Sequence, residues 1–262
     1  TNLTATLRAS GGVSSPTGPQ NYGALAPNGA AARTFTFTAG GVANGVVTAI
    51  LDLQDGTLVL GNVAFTFGLG GSASFSTIQP LNVPDSGLAA VYPSTIPVSG
   101  RTGLVSKVTV TLTGLSHTFP DDLDILLVGP AGQKVILMSD AGGGAGISGV
   151  NLTFDDAASA LLPDSTQIVS GTYRPTDFEP GDSFPAPAPA GPYSTALSSF
   201  VGSDPNGNWS LFIVDDTTGD AGRLNGGWRP HLTTTDGINS VAGRGGGSAA
   251  AHPPMAGVRS IK

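Results

Sequence analysis

Three aspartates, Asp121, Asp122 and Asp124, fall within four consecutive positions of the chain. Two like charges this close repel by roughly 1 kcal/mol in water and by more where water is scarce. A strand over 122–129 would place Asp122 and Asp124 on one face and Leu123, Ile125 and Leu127 on the other, toward a core. A second acidic set, Asp215, Asp216 and Asp220, ends the apolar run that follows Trp209, with Gly219 and Gly222 permitting a tight turn. A third is Asp155 and Asp156 after Phe154, with Asp140 in the loop after Leu137 and Met138. Carboxylates brought together this way suit a hard cation, and Ca²⁺ takes 6–8 oxygens at about 2.3–2.6 Å. The alternative is that these aspartates only fill Asx-turns, which they do unaided.

Other chemistry finds little support. The chain has three histidines, His117, His231 and His252, no cysteine and no close histidine pair, which argues against transition metals and removes disulfide and thiol chemistry. No contiguous EF-hand loop and no GxSxG nucleophile elbow is present. His117, in the run SHTFPDD, reads as a turn histidine bonded to backbone or carboxylate rather than as a catalytic base, so the chain is expected not to be an enzyme. Trp209 and Trp228 could form a sugar-binding platform if exposed; as core they would each bury about 150–250 Å².

The elements that must carry these groups are strands. Hydrophobic residues make up 39% of the chain in short alternating runs, with Gly 39 and Pro 20 between them. Seventeen of the 18 acidic residues are Asp, the exception being Glu179, a bias toward loops and away from helices. In residues 1–70 Leu3, Ala5 and Leu7 share a face, as do Phe35 and Phe37, then Val47, Ala49, Leu51 and Leu53, and Val63, Phe65 and Phe67. About five strands are too few for an immunoglobulin-like sandwich, which needs about seven. The chain therefore reads as beginning inside that domain, as a processed form or a fragment. Residues 71–77 read as a linker. Further strands are expected near 75–82, 104–113, 122–129, 133–139, 149–155, 166–170, 196–201, 208–215 and 223–234. The stretch Pro185 to Pro189 should be an extended surface loop. Residues 237–262 read as a Gly/Ala-rich tail, either flexible or ordering against a partner.

The run from about Ile78 to Thr235 resembles the P/Homo B domain, the P domain of proprotein convertases. The resemblance rests on three blocks in order: IQPLNVPDSGLAAVYPSTIPVSG, then GLVSKVTVTLTGLSHTFPDDLDILLVGPAGQKVILMSDAGG, then FVGSDPNGNWSLFIVDDTTGDAGRLNGGW. Residues 1–70 are similar, more weakly, to immunoglobulin-like modules of bacterial surface proteins. The resemblance implies an all-β protein of two sandwiches: an incomplete Ig-like one at 1–70 and a jelly-roll-like P domain at 78–236. It further implies calcium binding, favouring Asp122, Asp124, Asp215 and Asp220, with Asp121, Asp216, Asp156 and Asp140 as further candidates. It implies no catalysis, which in this family belongs to a neighbouring protease domain.

The net charge of −7 argues against a nucleic-acid partner, and no apolar run of 18 residues exists to span a membrane. The expected role is a non-catalytic structural or interaction module of a secreted or cell-surface protein, with other protein domains or copies of itself as partners. An incomplete sandwich leaves an open edge; a strand donated by another copy would fill it, and repeated donation would give an extracellular filament, a homo-polymer. Two alternatives stand beside this: an accessory region of a secreted subtilisin-like serine protease, and a carbohydrate-binding or adhesive module.

Overall fold

The computed structural model describes residues 2–26, 31–43, 45–235, 237–243 and 259–261. The chain is all-β. Among the described residues there is no α-helix, only the 3-10 turns Pro120–Asp122 and Leu197–Phe200. It divides into two compact units, the first made of Thr1–Gly71 with Thr235–Lys262, the second of Ser72–Thr234.

In the first unit the alternating runs form strands that bury one face. One sheet has the order Gly237–Gly243, Leu58–Gly68, Val46–Asp55, Leu3–Leu7, Gln20–Gly23. A smaller sheet places Phe35–Ala39 between Val13–Ser14 and Arg259–Ile261. Ala5, Leu7, Phe35, Phe37, Val47, Ala49, Leu51, Phe65 and Phe67 pack into a single core, as period-2 alternation requires. The hairpin between Val46–Asp55 and Leu58–Gly68 turns at Gly56, whose φ of +59° a residue without Cβ adopts at no steric cost.

Two expectations change here. The segment 71–77 is not a linker: Ser72–Ser74 is a strand antiparallel to Trp228–Thr234, with Ser74 opposite His231 and Ser72 opposite Thr233. Ladder bonds are made by the backbone, so Gly- and Ser-rich composition did not prevent pairing. Nor is 237–262 wholly a tail. Gly237–Gly243 pairs with Val63–Gly68, and Arg259–Ile261 pairs with Phe35–Phe37. Two strands of the first unit thus come from beyond the second unit in the same chain.

The second unit is a sandwich of two larger sheets. One has the order Ser94–Val98, Gly207–Asp215, Leu123–Val128, Lys134–Ser139, Thr176–Asp177. The other has the order Gly171–Tyr173, Ile147–Phe154, Val105–His117, Gly222–Leu224, Leu81–Val83, with Trp228–Thr234 beside the first part of Val105–His117. Ile125, Leu127, Leu112, Phe154, Phe200, Trp209 and Trp228 belong to the core. The opposite face of the Leu123–Val128 sheet carries a second apolar cluster, Leu126, Ile136, Phe212 and Val214, covered by Phe184. Tyr193 stacks edge-on against Phe184 at 5.4 Å. The Pro185 to Pro189 stretch joins no ladder, and its Ala188 packs against this second cluster.

Residues 166–170 and 196–201 were expected as strands and are not; the second holds the 3-10 turn Leu197–Phe200, whose buried Leu197 and Phe200 mimic strand hydrophobicity. The strand Ser94–Val98, which contains Pro97, was not among the expected strands. It lies at a sheet edge, where a missing N–H is tolerated.

Candidate metal centre

Asp124 leaves the Leu123–Val128 strand on the face away from the main core, beside the end of the neighbouring strand Lys134–Ser139. Asp140 follows that end with φ +49°, a left-handed conformation that Asp tolerates better than most residues. Asp182 arrives on the loop after the short strand Thr176–Asp177. One ligand oxygen from each of Asp124, Asp140 and Asp182 lies within 4.8 Å of the others, an arrangement that could hold a metal ion.

At the centre is the hydroxyl of Ser139, fully buried. Its Oγ lies 2.6 Å from Asp124 Oδ1, 2.7 Å from Asp182 Oδ2 and 3.0 Å from Asp140 Oδ2. A hydroxyl carries one proton, and an ionised carboxylate only accepts. Ser139 can therefore donate to one of the three. The other two contacts bring lone pairs together unless a carboxyl is protonated or a cation intervenes. Nearby, Asp177 Oδ1 is buried without a hydrogen-bond partner.

The electrostatics agree. Burial, and after it the charges of Asp182, Asp216 and Asp140, push the Asp124 carboxyl up to about 8 against the Ser139 hydrogen bond. Burial, with Asp182, Glu179 and Asp216, pushes Asp140 up to about 6. Burial and Asp182 raise Asp177 as well. Among the described residues no cationic side chain pairs with Asp124, Asp140 or Asp182.

The remaining sequence candidates lie elsewhere. Asp122 sits in the 3-10 turn Pro120–Asp122 rather than in the strand, so the expected two-residue alternation with Asp124 does not apply. It belongs with Asp215 and His117, all nearly buried. Burial and the charges of Asp215 and Asp220 raise Asp122 to about 6, while His117 opposes them. Asp215 is raised by burial and drawn back by His117, whose Nε2 is 3.1 Å from Asp215 Oδ2. Asp216 acts through charge on Asp122, Asp124 and Asp140, and its Oδ1 accepts from Thr217. Asp121 accepts the amide of Gly143. Asp156 caps the 3-10 turn by accepting the amides of Leu197 and Ser198, and Asp155 pairs with Lys107 at 2.8 Å. These last three are engaged by backbone amides or a lysine distant in sequence.

Of the candidates, then, Asp124 and Asp140 meet in one group, while Asp122 and Asp215 meet in another. Asp182, which joins the first group, was not among the candidates, nor were Ser139 and Asp177 beside it. The run TDFEPGD holds three acids in seven residues, which was a usable signal, but it lies far in sequence from Asp124. His117 faces the carbonyl of Phe119 through Nδ1 at 2.8 Å and Asp215 through Nε2, so neither ring nitrogen meets a serine hydroxyl. Trp209 and Trp228 are buried, bonded through Nε1 to the carbonyl of Pro205 and the hydroxyl of Ser94, and offer no exposed platform.

No protein-family model matches the chain, and no curated protein matches it. Among solved structures, the serine protease of Aeromonas sobria in complex with its chaperone is a distant match at 16% identity, with a TM-score of 0.31 over 64% of this chain. The same protease without the chaperone matches at 17% identity with a TM-score of 0.30 over 63%. The matched part spans 27% of the protease chain in both cases.

Proposed function

We propose that this chain is a non-catalytic, calcium-binding structural and interaction module of a secreted or cell-surface protein, its second unit a P/Homo B-type sandwich. The observation that carries the cation is the buried Ser139 hydroxyl facing three carboxylates with one proton to give. The donor set fits a hard cation: it is carboxyl oxygen only, which suits Ca²⁺ and disfavours softer metals. Asp124, Asp140 and Asp182 would hold the ion, with Ser139 and Asp177 beside them. The ion would neutralise the carboxylates and tie the Asp182 loop to the sheet.

The reading as a module without its own chemistry is supported by the placement of His117, both of whose nitrogens are engaged by groups other than a nucleophile. The secreted setting is supported by the sequence blocks of the second unit. No helix among the described residues is long and apolar enough to cross a membrane.

Isothermal titration of chelated protein with Ca²⁺ tests the reading. Binding in the roughly micromolar to millimolar range, lost in Asp182→Asn, is the expected result. No heat and no rise in unfolding temperature at any calcium concentration would remove the cation from the proposal.

A further inference from the structure

We propose that the strands Gly237–Gly243 and Arg259–Ile261 are exchanged between copies of this chain, the first unit of one copy being closed by the strands of the next. The inference builds on the reading of the chain as an interaction module and is independent of the cation.

The first unit depends on these strands at its most apolar places. Gly237–Gly243 lies against Val63–Gly68, and Arg259–Ile261 against Phe35–Phe37. The acceptor strands carry Phe35, Phe37, Phe65 and Phe67, all buried in the core of that unit. Without the donors, both acceptors become sheet edges with open rows of N–H and C=O groups over an aromatic core, a template for pairing with another chain.

Donor and acceptor are separated by the whole of Ser72–Thr234. The pairing is therefore among the most non-local in the molecule and late to form by loop-closure entropy. Until it forms, the acceptor edges are open to the same strands of a neighbour. A donated strand makes the same backbone bonds in the same register whichever copy supplies it. The choice between the two then depends on chain concentration relative to the effective concentration of the tethered strand, about millimolar for a short flexible link and lower for a long one.

Leu58, Val59 and Leu60, on the same acceptor strand as Val63–Gly68, are 63%, 68% and 52% exposed. These apolar side chains offer a second copy further contact along that strand. Because donor and acceptor are different surfaces, the contact is head-to-tail and propagates into a fibre unless its rotation happens to close a ring.

The absence of native cysteine allows a clean test. Thr66 is opposite Ser240 in the register, and directly opposed residues lie close enough for a disulfide. One chain carrying Thr66→Cys and a second carrying Ser240→Cys are unfolded, mixed, refolded over a range of concentrations and oxidised. The expected result is a cross-linked heterodimer whose yield rises with concentration at least several-fold above that of a control pair, Thr66→Cys with Ser203→Cys. A chain carrying both substitutions should give intrachain product at high dilution and a ladder of oligomers when concentrated. Should either variant fail to fold, light scattering and electron microscopy of the unmodified chain, refolded over the same concentrations, decide the matter: oligomers or fibres are expected. Heterodimer no more abundant than in the control, or a monomer at every concentration, overturns the exchange. Calcium titration of the same protein reports separately on the cation reading.

Discussion

The two units solve the same problem, burying the apolar faces of strands, by different means. The second is continuous in sequence and builds a core around two tryptophans and Phe154, Phe200 and a run of leucines. It can bear a group of partly buried acids, Asp124, Asp140 and Asp182, beside that core. The first is smaller, places its acids at the surface, as in the Arg8–Asp52 pair, and is assembled from segments on either side of the second. A large core tolerates a local electrostatic cost that a cation can relieve. A small core must instead secure its edges, because small units bury a smaller share of their surface and have little stability in reserve.

Removal of residues 236–262 should have the largest effect. The first unit should lose its unfolding transition altogether while the second keeps its own, as read by calorimetry. Equal loss in both units would mean that the two are not energetically separate. Trp209→Ala or Trp228→Ala should do the converse, lowering the stability of the second unit by about 3–5 kcal/mol and leaving the first intact, as measured by denaturant titration with residue-resolved NMR.

The acid group makes the stability of the second unit depend on pH. A carboxyl held up to about 8 in the folded chain, as Asp124 is, against 3.8 for the ordinary group, keeps its proton in the folded state after the unfolded chain has released its own. The unfolded state therefore binds fewer protons, and stability falls as pH rises from about 4 toward 8. In chelated protein the second unit should lose on the order of a few kcal/mol over that range. Calcium at pH 8 should restore it. A pH-independent melting temperature would show that the carboxylates are already relieved by something else. Asp182→Asn should flatten both the pH dependence and the calcium response while raising the stability of chelated protein at pH 8. The smallest effect belongs to Arg8→Ala in the first unit: its partner Asp52 is also largely exposed, and water screens the pair, so the melting temperature should not move measurably.

Alternation determined the strands. Leu123, Ile125 and Leu127 face the core, as do Ala5 with Leu7 and Val47 with Ala49, because a two-residue period leaves one side per strand to bury. The candidate chemistry was legible as a type, carboxylate oxygens that could hold a metal ion, since residue type alone sets that. Its grouping was not. A single 3-10 turn moved Asp122 out of phase with Asp124, and a loop some forty residues past Ser139 brought Asp182 to it. Nor could composition reveal that Gly237–Gly243 completes the sheet begun by residues 1–70. Backbone pairing has little side-chain signature, and which edge a strand finds is settled only when the whole chain is arranged in space.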